Sequence, residues 1–150
     1  MAKIEGGAAL HAFLAELIKK LEPCKLDVGF FSDAKYDPEK GGLYVASVAF
    51  WNEFGDEKKK RPPRPFFRRM ISEHEGEWVD LIKLTLKKAG NDLPAAMELM
   101  GEKLAGDLKQ SINDLVEPKL ADSTRLRKGH DKPLIETAHM VNSVTHLVSK

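Results

Sequence analysis

Seven cations, Lys58, Lys59, Lys60, Arg61, Arg64, Arg68 and Arg69, fall within twelve residues, interrupted by Pro62, Pro63 and Pro65 and accompanied by Phe66 and Phe67. Two chemistries suit such a stretch. Basic side chains gain affinity for phosphates by releasing counterions, and neighbouring aromatic rings can stack on bases. Guanidinium groups also pair bidentately with carboxylates, which suits a protein partner with an acidic surface. No nucleic-acid recognition motif accompanies the cluster, and the whole chain balances it, with 24 Lys and Arg against 23 Asp and Glu. Docking onto protein is the stronger reading, and a nucleic-acid-binding basic arm is the alternative.

Other reactive constellations are incomplete. In Glu73-His74-Glu75-Gly76-Glu77 a zincin-like site would need a second histidine four residues after His74, where Trp78 stands instead. His74 therefore reads as a histidine at the edge of the core. His139 and His146, seven residues apart, would align on a helix but not across a passage from helix to strand. Cys24 follows a helix end, where the dipole disfavours a thiolate. Ser123, Ser143 and Ser149 lack the Gly-x-Ser-x-Gly setting of a nucleophile elbow. The pairs Gly6-Gly7 and Gly41-Gly42 lack the lysine and hydroxyl of a phosphate loop. The expectation is a non-enzymatic protein without metal or cofactor.

The elements that would position the basic stretch follow from periodicity. Leu10, Phe13, Leu14, Leu17, Ile18 and Leu21 form one helical stripe, ended by Pro23. Over Lys25 to Phe31, Leu26, Val28 and Phe30 alternate with polar residues or glycine as in a half-buried strand. Ser32 to Gly42 reads as a loop. Leu43 to Phe54 fits either period, and a short helix is favoured, stopped by Gly55 in a left-handed conformation. Asp56 to Pro65 reads as a flexible charged arm. A single helix is expected from about Phe66 towards Lys88, with Phe67, Trp78, Leu81 and Ile82 in the core and Gly76 costing about 1 kcal/mol within it. Asn91 and Asp92 offer an N-cap to a further helix carrying Met97, Gly101, Leu104, Leu108, Ile112 and Leu115, which ends near Pro118. Lys119 to Lys132 is a polar loop, and Val144, His146 and Val148 mark a terminal strand able to pair with the first. The expected fold is α+β: a small antiparallel sheet packed with an N-terminal helix and two longer central helices, in one domain over residues 1–150.

Composition agrees, since 42% hydrophobic and 31% charged residues describe a chain that buries a core without being a membrane protein. One cysteine cannot make an internal disulfide, which points to a reducing cytosol. The first residues lack the apolar run and cleavage site of a secretion signal.

Two patches carry a resemblance. Val48-Ala49-Phe50-Trp51-Asn52-Glu53-Phe54-Gly55, followed by Arg61-Pro62-Pro63-Arg64-Pro65-Phe66-Phe67-Arg68, resembles the "Asn-Glu-Phe-Gly, then Pro-x-Arg-Pro-Phe" signature of tail-completion and virion-morphogenesis proteins of tailed bacteriophages, Mu-like prophages included. Leu120 to Thr124, Arg127-Lys128-Gly129 and Asp131 to Thr137 are similar to that family's "Ser-Thr … Lys-Gly … Lys-Pro-Leu-Ile-Asp-Thr-Gly" run, followed by Ser143-Val144-Thr145. Ala138 stands where the family usually has glycine, Glu136 where aspartate is common, and Pro63 where a small residue is common.

The resemblance implies a structural virion protein, a tail terminator or neck component that closes into a ring, six subunits by family, at the head-proximal end of the tail. Its partners would be other copies of itself and the tail-tube or head-neck connector proteins. Its location would be the bacterial host cytoplasm during assembly and then the virion. Asn52, Glu53, Arg61, Arg64, Arg68 and Arg69 are the candidate interface residues, with Glu53 a recipient for Arg64 or Arg68 across the contact. A purely local role for Asn52, Glu53 and Phe54, a helix end with Phe54 in the core, stands beside it. On the interface reading, changing Arg64 and Arg68 together to glutamate blocks assembly and spares the fold.

Overall fold

A computed structural model describes residues 23–37, 42–118 and 138–150. The expected N-terminal helix and the resemblance over residues 120–137 lie outside them. The described residues form an α+β fold. Strand β1 (Lys25–Phe30) is followed by helix α1 (Val45–Phe54), helix α2 (Phe66–His74), a 3-10 turn (Glu75–Glu77), helix α3 (Trp78–Lys88), helix α4 (Leu93–Asp114), a short helix α5 (His139–Asn142) and strand β2 (Val144–Ser149).

The two strands pair antiparallel from Lys25 opposite Ser149 to Phe30 opposite Val144, as the alternation of both segments predicts. Residues facing one another across an antiparallel pair share a face, so Leu26, Val28 and Phe30 lie on the same side as Val148, His146 and Val144. That side meets α4. Its 22 residues bury Ala96, Gly101, Leu104, Ala105, Leu108, Ser111 and Ile112 at helical spacing. A β-carbon at Gly101 would collide with the ring of His146 and come within 2.9 Å of Leu26, so glycine is what lets the sheet lie this close to the helix. Asp92 caps α4 by accepting from the Ala95 N–H at 3.1 Å, with Pro94 in the first turn, as the sequence predicts. The core gathers Val45 and Ala49 of α1, Phe66 and Met70 of α2, Leu108 and Ile112 of α4, Met140 of α5 and Val144.

The expected single helix over residues 66–88 is two. At His74 φ is −120°, the chain takes one 3-10 turn through Glu75, Gly76 and Glu77, and α3 begins at Trp78. Glycine is the weakest helix former short of proline, and Glu73, Glu75 and Glu77 crowd like charges around it, so the bend falls where an unbroken helix is least favoured. The core assignment shifts with it. Phe66, not Phe67, is the buried aromatic, set edge-on to Phe30 with ring centres 6.3 Å apart. Ser111 Oγ donates to its carbonyl at 2.7 Å. Phe67, Trp78, Leu81 and Ile82 are half-buried. Between the sheet and these helices runs an apolar groove of about 390 Å³, lined by Leu26 and Val28 of β1, Met70 and Ile71 of α2, Trp78, and Met97 of α4, among others.

Candidate functional site

The basic stretch is organised by a glutamate. α2 begins after Pro65, which has no side-chain donor or acceptor to cap it, and its first turn contains no acidic residue. The missing acceptor comes from α1. The side chain of Glu53 is 6% exposed, and its Oε2 accepts from the Phe67 N–H at 2.8 Å. Its Oε1 accepts from the Arg68 N–H at 3.2 Å and from Arg68 Nε at 2.8 Å, and Arg68 Nη2 donates to the Glu53 carbonyl at 3.0 Å. A carboxylate at a helix N-terminus satisfies donors the helix cannot and opposes the positive end of its dipole. The three donor contacts to the carboxylate compensate the cost of burying its charge.

The chain between the two helices is closed rather than a flexible arm. Asp56 and Arg61 exchange backbone hydrogen bonds at 3.0 and 2.9 Å around Glu57 to Lys60, and Asp56 Oδ1 accepts from the Lys59 N–H at 3.2 Å. Gly55 has φ of +80°, and a β-carbon there would sit 2.8 Å from the Arg61 carbonyl oxygen and 2.9 Å from Pro63 N. The chain therefore folds back at Gly55 only because that residue has no side chain. The Asn52 carbonyl accepts from the Arg64 N–H at 2.7 Å. The "Asn-Glu-Phe-Gly" and "Pro-x-Arg-Pro-Phe" halves of the resemblance are thus one clasp: Asn52 holds Arg64, Glu53 holds Phe67 and Arg68, and Gly55 makes room for Arg61 and Pro63.

This corrects two expectations. Glu53 is bound within its own chain, leaving neither carboxylate oxygen as an open recipient for a neighbour. Phe54 does not fill the core. It is 55% exposed, and with Phe50, 59% exposed, it forms a pair of rings 4.8 Å apart on the outer side of α1. Arg68 lies over Phe54 with its guanidinium carbon 5.1 Å from the ring centre, and Lys59 Nζ is 5.4 Å from the centre of Trp51. Arg61 is exposed with Lys58, Lys59 and Lys60 on the turn. Arg69 is exposed and donates from Nε to Glu73 one turn on, at 2.8 Å. Arg64 is half-buried. Burial, and then the neighbouring positive Arg61, lower its guanidinium pKa from the ordinary value, and its Nε is buried without a hydrogen-bond partner among the described residues. It remains a cation at any pH the fold meets.

The structure therefore brings Asn52, Glu53, Arg64 and Arg68 together, with Arg61 on the adjoining turn and Arg69 directed to Glu73. What the sequence reading missed is the Phe50–Phe54 pair. A signal was present: the two are four residues apart and fall off the stripe of Val45, Val48, Ala49 and Asn52 that faces inward.

The histidines among the described residues lie apart. His139 Nε2 is 2.9 Å from the Lys35 carbonyl oxygen, with its ring 4.9 Å from Tyr36, whereas His146 donates from Nε2 to Glu98 at 2.8 Å. His74 Nδ1 is 3.7 Å from a Glu77 oxygen. Among the described residues no three His, Cys, Asp or Glu side chains come together to hold a metal, and no helix is long and apolar enough to cross a membrane. No protein family, curated protein or solved structure matches the chain. The geometry of α1, the turn and α2 is what a functional reading has to explain.

Proposed function

We propose that the protein is a structural component of a tailed phage or prophage virion, a tail-completion or neck protein that joins copies of itself into a ring and meets the tail tube or head connector through the outer face of α1. The observation that carries this reading is the exposed Phe50–Phe54 pair set among cations. Two adjacent phenylalanines over half exposed gain from being covered, and Arg68 and Lys59, lying over aromatic rings, add positive charge that favours an acidic partner surface. The clasp at Glu53 makes this face rigid, so a partner does not have to order it on binding. The order of the resembling motifs supplies the virion context.

The test uses the full chain with Phe50→Ser and Phe54→Ser together. Both side chains are exposed, so the melting temperature is expected to stay within a few degrees of the parent, while binding to purified tails and ring formation, read by electron microscopy and light scattering, are lost. Undiminished tail binding by the double variant would remove the face from the contact. The exposed Lys58 to Arg61 turn beside Trp51 is the feature that suits nucleic acid. Tight, steeply salt-dependent binding to random duplex, with no binding to tails, would make that the function instead.

A further inference from the structure

β1 and β2 form a two-stranded sheet in which each strand is paired along one edge, and among the described residues nothing is hydrogen-bonded to the outer edge of either. Alternate N–H and C=O groups of an antiparallel strand point away from its partner, so an outer edge is a template for another chain. The two edges differ. β1 carries charge at Lys25 and Asp27, ion-paired at 2.9 Å, and Gly29 at φ of +149° interrupts its extended run; both features discourage the addition of a strand. β2 has neither. Val144-Thr145-His146-Leu147-Val148-Ser149 contains no lysine, arginine, acid, proline or glycine and is rich in β-branched residues. Thr145 and Leu147 are exposed on the side away from α4, Leu147 by 51%. His146, on the helix side, is already engaged by Glu98.

This strand is complementary to itself. Turned about a twofold axis through Leu147, two copies of β2 run antiparallel with Leu147 opposite Leu147, Thr145 opposite Ser149 of the second copy, and His146 opposite Val148 of the second copy. The match sets leucine on leucine and hydroxyl on hydroxyl, and no like charges are opposed in these pairs. The position of α4 suits the same arrangement. A β-carbon at Gly101 would meet both His146 of β2 and Leu26 of β1, so α4 lies over the seam between the strands. A second copy added at the edge carries its own α4 over its own seam, two strand spacings or about 10 Å away, which is the separation of packed helices. We infer that the free edge of β2 is the docking site for a second copy of this chain, β2 on β2 about Leu147, giving a continuous sheet in the order β1-β2-β2-β1. This does not depend on what the outer face of α1 binds.

Two measurements on the full chain decide it. In the first, Phe50→Ser with Phe54→Ser takes the α1 face out of any contact, and self-association is followed by sedimentation over a wide range of concentration. A monomer–dimer equilibrium is expected, and adding Leu147→Lys at its exposed site should weaken it roughly tenfold or more while leaving the circular-dichroism spectrum unchanged. A monomer throughout, or a dimer indifferent to the lysine, would overturn the assignment. The second reads the register by disulfide formation and stays informative even if the lysine variant fails to fold. Cys24 is the single cysteine, so Cys24→Ser gives a clean background. There Leu147→Cys should bridge two copies under mild oxidation, because residues directly opposite have β-carbons ~5 Å apart. Thr145→Cys should not, since the same residue of the second copy lies ~13 Å along the strand. Equal bridging at both positions, or bridging at neither, overturns the proposal.

Discussion

Glu53 places a carboxylate where α2 has no cap of its own, and a large energetic consequence of the clasp rests on that side chain. Glu53→Gln keeps the shape but replaces charge-assisted bonds with neutral ones and sets its amide NH2 against at least one of the three N–H groups, so a loss of roughly 1.5–3 kcal/mol is expected in urea denaturation. Arg68→Ala should cost less, about 1 kcal/mol or under, because that side chain is 57% exposed and solvent already screens the pair. A larger loss at Arg68 than at Glu53 would show that the ion pair, not the capping of the helix, holds the clasp. Changing Arg64 and Arg68 to glutamate is harsher than truncation, because it sets a second carboxylate beside buried Glu53 and would disturb the fold, which makes it a poor test of assembly. Ala138 is a second residue under stress: it precedes α5 at φ of +55°, a left-handed conformation at the position where the resemblance has glycine. Left-handed backbone costs a residue with a β-carbon ~1–2 kcal/mol, so Ala138→Gly should raise stability by about 1 kcal/mol after glycine's greater unfolded-state entropy is subtracted. A lower melting temperature in that variant would refute this.

At the scale of elements, two glycines make opposite predictions. A β-carbon at Gly76 would have nothing within 4 Å, so Gly76→Ala should straighten the junction of α2 and α3 and stabilise by up to about 1 kcal/mol. At Gly101 the added carbon meets His146 and Leu26, and Gly101→Ala should cost ~1–3 kcal/mol by forcing the sheet off α4. Thermal melts of the two variants check both signs at once. These elements also mark how far the sequence could be read. The long helix from Leu93 and the pairing of the outer strands were legible, because 22 residues of 3.6 periodicity and two alternating segments each repeat their signal several times. The bend at Glu75–Glu77 was not, since the apolar stripe continues on both sides and a glycine adds only a small penalty. Phe66 and Phe67 were exchanged because the phase of a helix depends on its first residue, which periodicity fixes only to within one or two positions. The clasp was legible as a motif but not as a geometry. Nothing in the spacing between Glu53 and Phe67 says that the carboxylate turns back to its own chain.

For the whole molecule, charge and apolar surface are divided between regions. The cations of the turn and the Phe50–Phe54 pair lie at the clasp, while Glu73, Glu75, Glu77 and Asp80 follow at the far end of α2 and the start of α3. Exposed opposite charges on one body favour head-to-tail contact between copies, and a heterologous contact closes a ring when its rotation divides a full turn. If copies meet this way, raising salt from low to physiological strength should weaken association markedly, because the Debye length falls from about 30 Å at 0.01 M to 8 Å at 0.15 M. Sedimentation at the two salt concentrations tests it, and salt-independent association would place the contact on the phenylalanines alone.

The sheet joins strands that lie at opposite ends of the described chain, Lys25 facing Ser149. Its hydrogen bonds span roughly 120 residues of intervening chain, so a long loop must close before they form, and high contact order slows their formation. Until β2 pairs, β1 lacks this strand partner and α4 lacks the cover that His146 gives it at Gly101. A variant lacking Val144 to Ser149 would therefore leave β1 without the strand that completes the sheet.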